Sequence, residues 1–457
     1  MSIIKKFDTR DFRIGSDEEL TAENLADFIA AHRQRVQTKY QVLSDAYETK
    51  YAIFGMPPKE DWKPDNRIAV NFAMYLVDRM TGYFVGIPIK YSSDDETVDD
   101  YVNLINDYND IDDLNSELSK QCDIYGKAYE LYFVDDNKQI SIAVLSPKES
   151  FMIFDDSILR RPRAFVRVYT DADDVRRGSV STEKYVRYFD IDPSFKWTSD
   201  EILHGFDGVP ATEYVQNTEQ IGIFEPVLSM INAYNKAVSE KANDVDYFAD
   251  TYMKILGAKV EADDVMNIRN DRIVNFEGEY SGNIVAEFMD KPSGDETQEH
   301  LIDRLERMIF NISGVANISD DNFAGDSSGI ALKYKLQAMS DKAETKKNKF
   351  KAAMNRRYKL IFSSAAHPMP ADAWAGIRYK FTPNVPANIQ EEAEIAAKLA
   401  GVTSQETQLS VLSIVDSVGA EQERIKEEQQ ELFDDTVGLR QLLNIEGADN
   451  GTDQEET

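Results

Sequence analysis

The chain has 457 residues, 42% of them hydrophobic, and carries 82 Asp+Glu against 51 Lys+Arg, a formal net charge of −31. That length suggests roughly two to four domains with a sizeable core, and so acidic a surface excludes broad, tight binding of nucleic acid. No apolar run approaches the ~20 residues of a bilayer span, and no signal-peptide core opens the chain. A soluble protein with no membrane partner is therefore expected, and the one cysteine, Cys122, rules out an internal disulfide and suits a reducing cytoplasm.

Residues 1 to about 20 are charged and expected to order only when docked. A helix is predicted from Thr21 to Tyr51, with Leu25, Phe28, Ile29, His32, Val36, Tyr40, Leu43 and Tyr47 along one side. His32 is read as a helix-face residue rather than a ligand. Residues 66–88 read as a buried helix ending at Gly82 or Gly86, and Ile87–Tyr91 as the start of an extended piece. Residues 92–100 read as an acidic turn, and Asp112–Tyr125 as a helix broken by Gly126. Strands are predicted at Ala128–Val134, Gln139–Leu145, Ser150–Phe154, Ala164–Thr170, Lys184–Asp190 and Ser194–Thr198. Together these predict a mixed α/β domain over residues 1 to about 222 with an antiparallel sheet.

Glu225–Leu256 reads as one long helix stopped by Gly257. Residues 258–292 read as a small α+β insert, with strands at Ala258–Glu261, Arg272–Phe276 and Ile284–Met289 and a short helix near Asp263–Arg269. The next helix runs from Asp295 to Ile312 on the spacing of Leu301, Ile302, Leu305, Met308, Ile309 and Ile312, with Ser293 as its cap and Gly314 as its stop. Residues 318–329 form an acidic, glycine-bearing loop, and Ser327 or Ser328 can cap the helix that follows.

That last helix carries two stripes. Leu332, Leu336, Met339, Ala343, Phe350, Met354 and Ile361 form an apolar face. Lys335, Lys342, Lys349 and Arg356 recur every seven residues and are placed on nearly the opposite side, with Lys346 between them. Residues 330–360 hold ten Lys/Arg and two acids, net +8. Such a helix calls for acidic surface beside it, from its own chain, a neighbour or a nucleic-acid backbone, unless it is simply a solvated face. Further on, residues 366–370 break the chain, and Trp374–Phe381 alternates as a strand that must pair with the N-terminal domain. Helices follow at Asn388–Leu399, from a capping box at 403–406 through Ile414, and at about 420–433. Residues 385–457 hold 17 acids and four bases, net −13, and the end from about Gly447 reads as disordered.

Motifs for chemistry are wanting. Gly325–Lys333 lacks the spacing of a phosphate-binding loop. Asp320–Gly325 fails as a calcium loop, since Ala324 and Ala331 stand where ligands belong. The four histidines 32, 204, 300 and 367 have no metal spacing, and no serine sits in a nucleophile elbow. Neither cofactor nor metal is expected, and the chain is read as a non-enzyme. Cys122 is read as a buried small apolar residue.

Set in order, Asn66–Ala73 with Gly82–Pro88, Cys122–Leu131 with Leu145–Asp156, Asn311–Ala316 with Ser327–Tyr334, and Thr403–Ser410 with Glu421–Ile425 resemble the portal proteins of tailed bacteriophages, specifically the SPP1-like family. The resemblance spans about residues 20–433. It implies an α+β portal fold: a mixed α/β wing (1–222 with 366–386), stem helices (223–256 and 293–316), a small α+β clip (257–292), a tunnel loop and long tunnel helix (317–365), a helical crown (387–445) and a disordered acidic tail (446–457). It also implies a homo-oligomeric ring, usually of twelve subunits, at one capsid vertex of the virion, assembled in the host bacterial cytoplasm. Double-stranded DNA would pass through without sequence specificity during packaging and ejection. The implied partners are the terminase large subunit, a head-completion or adaptor protein, and capsid and scaffolding proteins.

On that reading Asp320, Asp321, Asn322, Phe323, Asp326 and Ser327 belong to the DNA-channel loop, where the acids limit adhesion to phosphates. Lys335, Lys342, Lys346, Lys349 and Arg356 would contact neighbouring subunits or the channel. Arg269, Arg272, Glu277 and Glu279 would be clip contacts. Two alternatives stay open on the residues alone: an acidic scaffold or adaptor without a DNA channel, and a hydrolase hidden among the many carboxylates.

Overall fold

A computed structural model of the chain describes residues 10–60, 63–249, 253–256, 285–288, 295–317, 333–364, 369–385, 389–412, 414–415 and 418–430. The described chain is α+β and divides into two units, one formed by residues up to 320 with 335–384, the other by 321–334 with 385–457.

The first unit opens with strand β1 (Phe12–Ile14) and helix α1 (Ala22–Arg35), which continues through a π-helical turn (Val36–Tyr40) into α2 (Gln41–Tyr47). Thr21 caps α1, its side chain accepting from the Asn24 N–H. Helix α3 (Phe72–Val85), strand β2 (Lys90–Ser92) and helices α4 (Glu96–Tyr108) and α5 (Ile111–Tyr125) follow. Gly126 closes α5 at φ 85°, and a Cβ there would meet the Gln220 carbonyl oxygen at 2.1 Å, so only glycine fits.

Strands β3 (Lys127–Val134), β4 (Ile140–Leu145), β5 (Ser150–Asp155), β6 (Pro162–Thr170), β7 (Arg176–Ser181), β8 (Tyr185–Asp190), β9 (Lys196–Trp197), β10 (Ile202–Leu203) and β11 (Ala211–Val215) come next. Seven strands form one sheet, in the order β1-β5-β6-β7-β8-β10 with β9 also on β8; a second sheet has the order β11-β3-β4. Side-chain alternation gives the larger sheet two buried faces. Phe151, Ile153, Ala164 and Val166 share a core with Leu25, Phe28 and Ile29 of α1, while Met152, Phe154 and Phe165 pack with Tyr129 and Leu145 of the smaller sheet. The expected antiparallel sheet is thus two sheets, and β1 adds to β5 in parallel, pairing Phe12 with Ile153.

Helix α6 (Leu228–Ala249) follows a 3-10 turn at Glu225–Val227. Strands β12 (Met253–Leu256) and β13 (Val285–Phe288) pair antiparallel. Helix α7 (Asp295–Ser313) lies antiparallel to α6, since Lys241 pairs with Glu299 and Asp244 accepts from Gln298. Gly314 ends α7 at φ 68°, as expected. Helix α8 (Gln337–Phe362) is preceded by one helical turn at 333–335 and a break at Leu336. Strand β14 (Arg378–Lys380) pairs antiparallel with β2 in a two-stranded sheet of their own, so the expected N-terminal partner is found, but the strand is shorter than Trp374–Phe381 because Ala373–Gly376 form a 3-10 turn.

Three expectations are corrected. The acidic stretch 92–100 is a helix start, because Asp95 accepts from the N–H groups of Thr97 and Val98 and opens α4. The helix expected from residue 66 starts at Phe72, capped by Asn71; residues 66–70 are neither helix nor strand. Their N–H groups at Asn66, Ile68 and Val70 donate to Asn243, Ser239 and Asn235 of α6 at 2.6, 2.9 and 2.9 Å. Every second residue here meets every fourth of α6, the spacing at which a strand-like advance of ~6.6 Å matches the ~6 Å of four helical residues. The helix expected through Leu256 ends at Ala249, and residues 253–256 are strand. Strands at Ala258–Glu261 and Arg272–Phe276, the helix near Asp263–Arg269, the caps Ser293, Ser327 and Ser328, and the tail 446–457 lie outside the described residues.

In the second unit, α9 (Ile389–Leu399) is followed by Gly401 at φ 79° and by α10 (Gln405–Ser410), whose cap is Ser404 rather than Thr403. Helix α10 ends short of the expected Ile414. Residues 418–430 are helical. Among the described residues no helix is long and apolar enough to cross a membrane.

Candidate functional site: the seat of the basic helix

Helix α8 buries Met339, Ala343, Phe350, Ala353, Met354, Tyr358 and Ile361. The helix turns by roughly 100° per residue, which puts position 346 on the same face as 339, 343 and 350, and position 357 between 353 and 361. Lys346 and Arg357 therefore point into the interior, and both are 0% exposed. The seven-residue series 335, 342, 349, 356 lies along the flank of this face instead of opposite it. Lys335, Lys342, Lys349 and Arg356 are each half-buried, and the solvent side is drawn from residues such as Asp341, Asn348 and Lys351.

Helix α5 supplies the partner of Lys346. Its Nζ donates to Asp123 Oδ2 and Ser119 Oγ, both at 2.7 Å, and to the Ser119 carbonyl at 3.2 Å. Thr81 of α3 also donates to Asp123 at 3.0 Å. Burial holds the Asp123 carboxyl above the usual range, and the ammonium of Lys346 offsets only part of that rise. Phe84 and Phe350 flank the ammonium, with ring centroids at 4.9 and 5.6 Å.

Strand β3 supplies the second seat. Glu130, also fully buried, takes a two-pronged pair from Arg357, with Nε to Oε2 at 3.0 Å and Nη2 on Oε1. Arg357 Nη2 also donates to Asn115 at 2.9 Å, and the Tyr132 hydroxyl donates to Glu130 at 2.7 Å. Burial is the largest influence and opposes the Arg357 charge, but Glu130 together with Tyr214 and Tyr91 more than offsets it and holds the guanidinium well above its ordinary value. Next to it, Arg356 donates to the carbonyls of Ala211 and Val209 at 3.2 and 3.1 Å. Burial lowers Arg356 and Lys342, and the Lys342 side chain lies over Gly314.

The expected role at subunit contacts is corrected for Lys346, which is fully buried on partners of its own chain, whereas half-buried Arg356 donates to two carbonyls of its own chain. Arg357 was missed as a site residue; its signal is a cation at an apolar-face position between Ala353 and Ile361, matched by a lone acid within the strand Lys127–Val134. The channel-loop residues Asp320, Asp321, Asn322, Phe323, Asp326 and Ser327, and the clip residues Arg269, Arg272, Glu277 and Glu279, lie outside the described residues. His32 is a core residue, its Nε2 donating to the Pro147 carbonyl at 2.8 Å. Cys122 is buried, and burial pushes its thiol up.

A second feature lies on α7. Ile302 and Ile309 are buried, yet Leu301, Met308 and Ile312 are 50, 39 and 43% exposed. With half-buried Leu305 they form a stripe of steps four, three and four, the seam spacing of helices that pack lengthwise.

Comparison with known proteins covers nearly the whole chain. The pattern of the family described as phage portal protein, SPP1 Gp6-like, matches residues 26–432. The portal protein of Bacillus phage SPP1 is 21% identical over 433 residues, covering 89% of this chain and 84% of that protein. The portal protein of Clostridium phage phiCD119 is 22% identical over 377 residues, covering 74% and 79%. Among solved structures, a chain of the neck of an empty GTA particle computed with C6 symmetry aligns over 74% of this chain and 89% of its own, with 12% identity and a TM-score of 0.41. The family pattern runs through both units, and this chain belongs to the SPP1 Gp6-like family of phage portal proteins.

Proposed function

We propose that copies of this chain close into a ring at one capsid vertex and form the channel through which phage DNA is packaged and ejected. The observation that carries the reading is the exposed seam of α7. Helix α6 covers only one side of α7, and the apolar residues Leu301, Met308 and Ile312 remain open on a single copy. A neighbouring copy covers them without any further element of the same chain. Twelve copies are expected, with α6 and α7 as stem (223–256 and 293–316) and the α/β body (1–222 with 366–386) as wing. Residues 257–292 would be the clip, 317–365 the tunnel loop and helix, and 387–445 the crown.

Within that ring, Asp320, Asp321 and Asp326 keep the channel loop from holding phosphates, while Lys335, Lys342, Lys349 and Arg356 remain for subunit or channel contact. Arg269, Arg272, Glu277 and Glu279 face the adaptor, and the ring is the platform for terminase and the head-tail connector. The driving ATPase belongs to terminase, and this chain needs no active site of its own. Negative-stain microscopy and mass photometry of the purified protein test the reading. Rings with a central hole are expected, and Leu301, Met308 and Ile312 all changed to Gln should leave folded single copies. A wild-type chain that stays a single copy over the micromolar range, with no rings in the images, overturns it.

A further inference from the structure

Helix α8 is held by two different kinds of contact along its length. From Lys346 onward it is tied to other elements by directional polar bonds: Lys346 to Asp123 and Ser119, Arg356 to two carbonyls ahead of and in β11, Arg357 to Glu130 and Asn115, and Tyr358 to Asn106 at 2.6 Å. From Gln337 to Thr345 the described side-chain hydrogen bonds and ion pairs stay within the helix: Gln337 with Asp341, Thr345 with the Asp341 carbonyl, and Glu344 with Lys347. This segment reaches the body through buried Met339 and Ala343 and through the Lys342 side chain, which lies over Gly314. Apolar contact is non-directional and tolerates sliding and re-packing. A fully buried ion pair does not, because drawing one partner away leaves a bare charge in the interior.

We infer that Lys346 and Arg357 are positioning residues that fix the rotation and register of the helix from residue 346 to its end, so that adjustments at the channel-side end stop at Lys346. The two pairs lie eleven positions apart on one face, three helical turns, so together they set both the roll of the helix and its position along its axis. For a channel protein this separates movement near the DNA path from the body that keeps the ring together. The pinning of the helix stands on its contacts, and which end faces the channel rests on the portal reading.

Amide hydrogen exchange on the full-length protein tests it. In the native protein the amides of residues 346–362 should exchange at least about tenfold more slowly than those of 337–345, with the step at Lys346. The paired change Lys346→Met with Asp123→Leu removes both charges and leaves no bare carboxylate. It should speed exchange over residues 346–353 by about tenfold or more, with residues 355–362 unchanged behind the Arg357 pair. The exchanged pair Lys346→Asp with Asp123→Lys should return the native pattern. A native profile with no step at Lys346, an unchanged profile in the paired variant, an even rise along the whole helix, or an exchanged pair that stays fast overturns the inference. Ring mass, measured on the same samples, reports separately on the portal reading.

Discussion

Helices α7 and α8 invert the usual relation between chemistry and burial. Helix α8 belongs to the most basic stretch of an acidic chain, yet two of its cations are fully buried on partners from α5 and β3. Helix α7 begins among acids, yet leaves Leu301, Met308 and Ile312 half open to water. Buried charge is tolerated where a partner of opposite sign and further donors are already in place. Exposed apolar area in a seam marks a surface that is complete only in an assembly. The difference teaches that charge counts along a helix say little about which side faces water, whereas residue spacing says a good deal.

The sharpest way to break the comparison is to remove one buried charge and keep its partner. Arg357→Met should lower stability by about 3–5 kcal/mol, because Glu130 is left bare at 0% exposure. Adding Glu130→Leu should recover most of that loss. Urea unfolding of the three proteins reads this directly, and an Arg357→Met protein as stable as the parent would mean that the pair does not hold the helix.

His32 sharpens the same point from the other side, as a buried titratable group without a counter-ion. It is 4% exposed, stacked on Phe151 at 4.6 Å, and burial lowers its pKa from 6.5 to about 4. The unfolded chain therefore takes up this proton first as pH falls. The contribution is complete above about pH 6.5 and is lost progressively toward pH 4, amounting to about 3 kcal/mol. Urea midpoints of wild type and His32→Gln, compared between pH 7.5 and 4.5, should converge as pH falls. A gap independent of pH would show that the ring is not held neutral.

Much of the fold was legible because period and punctuation agreed: α5 with Gly126, α7 with Gly314, and the strands β3 to β6. Helix α4 was hidden because Asp94, Asp95, Glu96, Asp99 and Asp100 read as a turn, although Val98, Val102 and Ile105 already stood at helical spacing. Strand β7 was hidden by Gly178, where a Cβ would come within 2.4 Å of the Phe189 ring, a requirement set by the neighbouring strand. The burial of Lys346 was readable, since 343, 346 and 350 are steps of three and four, but grouping it with the seven-residue lysine series concealed it. The partners Asp123 and Glu130 lie more than 220 residues away in sequence, and spacing carries no information across that gap.

A middle-sized effect is expected where residues 66–70 lie along α6. Ser239 is 2% exposed and accepts from the Ile68 N–H. Ser239→Ala leaves that donor without its partner and should cost about 1–3 kcal/mol. Ser239→Thr keeps the hydroxyl and should cost less, provided the added methyl fits. Equal loss in both would assign the effect to packing instead of the hydrogen bond.

The smallest effect tests the α7 side of the comparison. Met308 is 39% exposed, so in a single copy Met308→Gln moves little apolar area and should change stability by under about 0.5 kcal/mol. Met354 on α8 is 0% exposed, and the same change there buries an amide with no prepared partner, which should cost about 2 kcal/mol or more. The contrast must be read on dilute single copies, since a seam covered by a neighbour would give Met308 a burial that one chain lacks. Repeating the pair under ring-forming conditions then separates the two helices. The Met354 loss should be the same in both states, while the Met308 loss should grow on assembly. If the Met308 loss stays near zero in rings, its stripe lies outside the contact between copies, and α7 owes its exposed residues to some other surface.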